Sequence, residues 1–128
     1  MRKIDITERT FAFALRIVKL CKYLQKEIKV DRAMVSQLIR SGTSVGANVE
    51  EAQSSQSRAD FLSKLSISCK EARETHYWLR LISASEQAVA DHMAEIVAEA
   101  NEIVCILTSI IKSTKKSRMP NGELGTRN

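Results

Sequence analysis

The sequence predicts an all-α protein, an up-down-up-down four-helix bundle, and three observations carry that expectation. Apolar residues recur at steps of three and four through four long stretches, the mark of amphipathic helices. One Pro and four Gly in 128 residues, with aromatics at 5%, make a composition foreign to sandwiches and barrels. The stretches are separated by short polar runs, so consecutive helices pack antiparallel as the simplest closed arrangement. The length suits one domain with a real core, divided into a bundle over 1–116 and a disordered tail over 117–128.

The first helix is expected over about 7–27, capped by Asp5 with Glu8, or by Thr7. Phe11, Phe13, Ala14, Leu15, Ile17, Val18, Leu20, Cys21 and Leu24 cover more than one of its faces. A helix so apolar wants two partners, the bundle core and a neighbouring subunit. Its remaining stripe is basic: Arg9, Arg16, Lys19, Lys22 and Lys26.

The second helix, over about 32–54, has Asp31 as its cap, and Val35, Leu38, Gly42, Val45, Val49 and Ala52 step by three and four without a slip. That phase survives two glycines, each costing about 1 kcal/mol against Ala in a helix interior. Close packing or a kink is the reason to keep them, and a break near Gly42 is the competing reading. After the turn at 53–57, Ser57 and Asp60 form a capping-box signature for a third helix over about 57–83, with a seam of Phe61, Leu65, Ser68, Ala72, Thr75, Leu79 and Ile82. The seam is small at its centre, where the second helix offers Ser41, Gly42, Ser44, Gly46 and Ala47, so these two helices are expected to pack closely.

A loop over 83–90 leads to the fourth helix, about 91–116, with Met93, Val97, Ala100, Val104, Leu107 and Ile111 in phase and Ile96, Ile103 and Ile110 widening the face. Glu95, Glu99 and Glu102 are expected on the opposite, solvated side. Lys112, Lys115 and Lys116 complement the helix dipole at its C-terminus.

Charge is uneven. Residues 1–30 hold eight Lys/Arg against three Asp/Glu, residues 87–109 none against four, and residues 110–128 five against one. Basic ends favour polyanions, and the candidate phosphate contacts are Arg9, Arg16, Lys19, Lys22, Lys26, Lys112, Lys115 and Lys116. A second constellation, Arg40, Asn48 and Glu51 against Asp60, Lys64, Glu71 and Glu74, reads as a structural polar network fixing helix register, with a carboxylate-and-arginine pocket as the sharper alternative. Catalysis finds no support. Glu-x-x-His pairs for a di-iron site are missing, since Arg73 and Val89 stand three residues before His76 and His92. Cys21, Cys69 and Cys105 are odd in number and lack a Cys-x-x-Cys pair, so free thiols in the cytoplasm, with no metal and no cofactor, are expected. No run approaches the roughly 20 apolar residues of a membrane span.

Three stretches carry a family resemblance: Gln37 to Glu51 (QLIRSGTSVGANVEE), Ser57 to Phe61 (SRADF) and Lys70 to Thr75 (KEARET). Together they resemble the bacterial four-helix-bundle family encoded by intervening sequences in large-subunit ribosomal RNA genes, which includes the accessory protein of diversity-generating retroelements. The resemblance spans about residues 5–116. Many members carry Pro before the Ala-Asn pair and Gly after the second Glu, where this chain has Gly46 and Ala52, departures that mark a subgroup. It implies a left-handed bundle assembled into a homopentamer and, for the retroelement proteins, a basic surface that engages nucleic acid and a reverse transcriptase. The expected function is a non-enzymatic homo-oligomer binding RNA or DNA, as an accessory to a reverse transcriptase in its narrowest form. The alternative is a protein–protein interaction scaffold without nucleic-acid binding.

Overall fold

A computed structural model describes residues 5–117. Four helices follow one another antiparallel: α1 (Ile6–Tyr23), α2 (Arg32–Gln53), α3 (Arg58–Ser85) and α4 (Ala90–Ser117). Each of the first three begins on a side chain suited to free helix N–H groups. Asp5 accepts from Thr7 N at 3.3 Å, Asp31 from Ala33 N at 2.8 Å and Ser57 from Asp60 N at 3.1 Å. Apart from Ser117, the last residue of α4, the expected tail lies outside the described residues.

Two boundaries differ from the sequence expectation. The first helix ends as an α-helix at Tyr23 rather than near 27, because the chain widens into a π turn over Leu24–Ile28. Lys29, in the left-handed conformation at φ 63°, closes that turn, and Val30 N donates to Leu24 O at 3.0 Å. The widened turn draws Val30 into the core at 5% exposure. The expected loop over 83–90 is shorter than supposed. Helix α3 runs to Ser85, and a 3-10 turn, Gln87–Val89, seats Val89 in the core and leads straight into α4.

The seam of α2 is buried as its periodicity requires, at Val35, Leu38, Gly42, Val45, Val49 and Ala52, and the helix is continuous through both glycines. On α3 the buried row is Leu65, Ser68, Ala72, Thr75, Leu79 and Ile82, while Phe61 is only half-buried. The centre of the α4 face is Met93, Ile96, Ala100, Ile103 and Leu107; Val97, Val104 and Ile111 are its half-buried margin. Each large side chain wholly removed from water here, Phe13, Leu38, Leu79 and Met93 among them, contributes about 1.5–3 kcal/mol.

Small residues set how near the helices come, though not all between the expected pair. Between α2 and α3, the hydroxyl of Ser68 donates to Val45 O at 2.7 Å, and Thr75 Oγ1 meets Ser41 Oγ at 3.0 Å. All three hydroxyl residues are wholly buried, so each hydrogen bond satisfies a group whose burial would otherwise be costly. Gly42 and Gly46 face α1 instead. A Cβ on Gly42 would lie 2.8 Å from Ile17 Cγ2, and one on Gly46 would lie 3.2 Å from Thr10 O. The ring of four helices is loosest between α1 and α4.

Candidate nucleic-acid interface

Helix α1 turns Phe13, Ile17 and Cys21 inward. The opposite face is therefore fixed by the helical turn of 100° per residue. Leu15, Lys19 and Lys22 follow one another on it at steps of four and three, Phe11 precedes Leu15 by four, and Lys26 is exposed in the π turn beyond. This outer face is divided along its length. Its first half is apolar, with Phe11 at 64% and Leu15 at 48% exposure. Its second half is basic, and Arg16, Lys19, Lys22 and Lys26 are all exposed. None of these four cations takes part in an ion pair among the described residues. Exposed Lys29 and Arg32 extend the basic surface past the end of the helix, around an open hollow of about 530 Å³ that they share with Gln25 and Val30.

Arg9 leaves the basic stripe. It points to α4, where Nε donates to Glu99 Oε2 at 2.8 Å and Nη2 to Glu99 Oε1 at 2.9 Å and Glu102 Oε1 at 2.6 Å. The two carboxylates raise the guanidinium pKa beyond its already high value, and the hydrogen bonds from Arg9 hold Glu99 below the usual carboxylate range. An arginine neutralised twice within its own subunit has little left for a phosphate. Glu99, at 22% side-chain exposure, departs from the expected solvated face because it turns in to Arg9 across the loose α1–α4 edge, whereas Glu102, at 63%, keeps to it.

The basic residues of α4 do not join those of α1. Arg16 shares a small hollow with His92 and Ile96, while Lys112, Lys115 and Lys116, all exposed, lie sixteen or more residues further along α4, roughly 24 Å at the helical rise. Antiparallel packing thus sends the two ends of the chain's charge to opposite ends of the bundle.

The polar constellation of α2 and α3 is assembled in part. Arg40 Nη1 donates to Glu71 Oε1 at 3.2 Å, Nη2 bonds Glu74 Oε2, and Nε donates to Gln37 Oε1 at 3.3 Å. Trp78 Nε1 donates to Glu74 Oε2 at 3.1 Å. Hydrogen bonds from Arg40 first, then Trp78, lower the Glu74 pKa. Glu51 meets Lys64 separately at 3.9 Å. Asn48 is outside both groups, since its amide donates to Ser44 O one turn back at 2.9 Å, and Asp60 has no ion pair among the described residues. Arg40 keeps 47% of its side chain exposed, so this is a surface network and not a buried one. The buried polar contacts that set register are those of Ser41, Ser68 and Thr75.

Comparison with known proteins agrees with this architecture. The sequence matches the family described as 23S rRNA-intervening sequence protein over residues 2–109. The chain belongs to that family. Among solved structures, a protein of unknown function from the S23 ribosomal protein family of Bacteroides thetaiotaomicron shares 45% identity. The match covers 84% of this chain and 99% of that one, with a TM-score of 0.80. No curated protein matches. Among the described residues no group of His, Cys, Asp and Glu is placed to hold a metal ion. Cys21, Cys69 and Cys105 are free thiols, and burial pushes the Cys21 thiol up to about 11. No helix among the described residues is long and apolar enough to cross a membrane.

Sequence reasoning overlooked three cations that the fold brings into these surfaces. Lys29 and Arg32 share one hollow with Gln25 and Val30 at the α1–α2 connection. Arg73 of α3 stands with Lys112 and Lys115 of α4 around one cavity. Nothing in a linear reading joins residues forty positions apart, though Arg73 does continue the row of Ser66 and Cys69.

Proposed function

We propose that this family member is a non-enzymatic cytoplasmic homo-oligomer that binds RNA or DNA along the basic half of the outer α1 face. The observation that carries the reading is the divided surface itself. Arg16, Lys19, Lys22 and Lys26 are exposed and out of ion pairs, in line with an apolar half that a single subunit leaves uncovered. A Phe at 64% exposure is covered when a second copy packs on it, and a closed ring repeats the adjoining cations around its rim. The number five comes from the family resemblance. Cations so arranged hold a phosphate backbone without reading bases.

Mobility shifts with a single-stranded oligonucleotide across a salt series test the binding. Affinity falls steeply with salt, and the combined Lys19→Gln, Lys22→Gln and Lys26→Gln variant loses about two from the log–log slope, at roughly 0.7 per lost contact. Absence of binding at low salt, or an unchanged slope, defeats the proposal. Light scattering tests assembly: Phe11→Glu with Leu15→Glu lowers the mass in solution to that of one chain, and an unchanged mass removes α1 from the subunit contact.

A protein-interaction scaffold is the second reading, and the exposed Tyr77, at 48%, and Leu81, at 37%, favour it. They lie on α3, away from the cations of α1, and a partner docked there is indifferent to the three lysine substitutions.

A further inference from the structure

We propose that a niche between α3 and α4 binds a phosphate monoester, either the terminal phosphate of a nucleic-acid strand or that of a free nucleotide. Where the phosphate ends a strand, its delivery rests on the nucleic-acid reading above. The niche is a cavity of about 260 Å³ that places Ser66 and Arg73 of α3 beside Thr108, Lys112 and Lys115 of α4. Its floor is the buried Cys69, whose Sγ lies 3.5 Å from Thr108 Oγ1.

Three cations converge there, and none of them takes part in an ion pair among the described residues. Arg9 and Arg40, by contrast, each engage two carboxylates. The row of α3 running through Ser66, Cys69, Arg73, His76 and Arg80 carries no Asp or Glu, and neither does the row of α4 through Asn101, Cys105, Thr108, Lys112 and Lys115. Like charges gathered without internal partners await an anion from outside. Arg73 offers a planar fork of donors suited to two phosphate oxygens, the lysines add point charges, and the hydroxyls of Ser66 and Thr108 can donate as well.

Charge selects the monoester. At neutral pH it carries close to two negative charges against three cations, whereas a diester carries one. The volume holds a phosphate with part of its sugar, given about 30 Å³ for a single water in the liquid.

Fluorescence anisotropy on the full chain tests this with two single-stranded oligonucleotides of one sequence, labelled at the 3′ end and differing only in a 5′-phosphate or 5′-hydroxyl. The phosphorylated strand binds about tenfold tighter, the difference expected for charge-assisted hydrogen bonds. Arg73→Gln with Ser66→Ala abolishes that preference and leaves the affinity for the hydroxyl strand as it was. Lys22→Gln with Lys26→Gln weakens both strands alike and keeps the preference. A second arm titrates adenosine 5′-monophosphate and follows the amide resonances of Ser66 and Thr108. Shifts there without any oligonucleotide binding leave the niche standing, with a free nucleotide as its ligand, and remove the α1 proposal. Equal affinity for the two strands together with no amide shift overturns the niche and leaves the α1 proposal intact.

Discussion

Replacing Gly42 with alanine tests the close approach of α1 and α2 directly, because two effects of known sign oppose each other there. Alanine improves helix propensity by about 1 kcal/mol. Its Cβ, however, would lie 2.8 Å from Ile17 Cγ2, 2.9 Å from Cγ1 and 3.2 Å from Cβ, against the roughly 3.5–4.0 Å of an ordinary carbon contact. Ile17 is wholly buried and, being β-branched, stiff at χ1 within a helix. It cannot swing away, so the helices must separate. Overpacking of this kind costs about 1–3 kcal/mol, and with two contacts inside 3.0 Å the upper half of that range applies, leaving a net loss of about 1–2 kcal/mol. The diagnostic result is a change of sign. Ile17→Ala costs about 2–5 kcal/mol by itself, but it removes both Cγ atoms. In that background Gly42→Ala stabilises by about 1 kcal/mol, for a coupling of about 2–3 kcal/mol. Urea unfolding followed by circular dichroism, on all four chains at one protein concentration, supplies the cycle. A Gly42→Ala chain as stable as the parent, or an effect of the same sign in both backgrounds, refutes the close-packing account of this glycine.

Three further outcomes are expected. Ser68→Ala loses the 2.7 Å hydrogen bond to Val45 O and about 1 kcal/mol of stability, whereas Ser66→Ala, two residues earlier on an exposed position of the same helix, leaves the urea midpoint unchanged. Stability falls as the medium is acidified. Glu74, Glu99 and His76 all have folded pKa values below their ordinary ones, so the unfolded chain takes up protons first, through the His range and then the carboxylate range. A urea midpoint that stays flat from neutrality into that range contradicts this, and Glu99→Gln reduces the carboxylate part of the fall. Thiol labelling separates the cysteines: Cys105, exposed, reacts quickly, while Cys21, buried with its pKa pushed up to about 11, reacts only as the protein opens. Mass mapping of the first-labelled peptide checks the order.

Much of the bundle was legible in the chain because its signals are local. Asp31 and Ser57 cap helices whose free N–H groups lie two or three residues away, and the α2 seam from Val35 to Ala52 is written in a period that a continuous helix must bury. The family motif from Gln37 to Glu51 was read as pairing α2 with α3, and half of that reading holds. Ser41 and Val45 meet α3, yet Gly42 and Gly46, one position later and 100° around the helix, meet α1. The α1–α2 connection was less legible. The π turn places Val30 in the core through a left-handed Lys29, and no Gly or Pro marked the position. At the candidate site, the exposure of Lys19 and Lys22 followed from the phase of Phe13, Ile17 and Cys21. The diversion of Arg9 did not, since its partners Glu99 and Glu102 come from the other end of the chain.

By itself the sequence determined four helices, the caps of the first three, their inward faces and the basic character of α1 and the C-terminus, because periodicity and capping act within one or two helical turns. Only the tertiary structure decided which neighbour each face met. It set Arg9 against α4, parted the charge of α1 from that of Lys112, Lys115 and Lys116 by the length of the bundle, and brought Arg73 to two of those lysines. Helical phase fixes the angle at which a side chain leaves its axis, and antiparallel packing alone fixes what stands opposite.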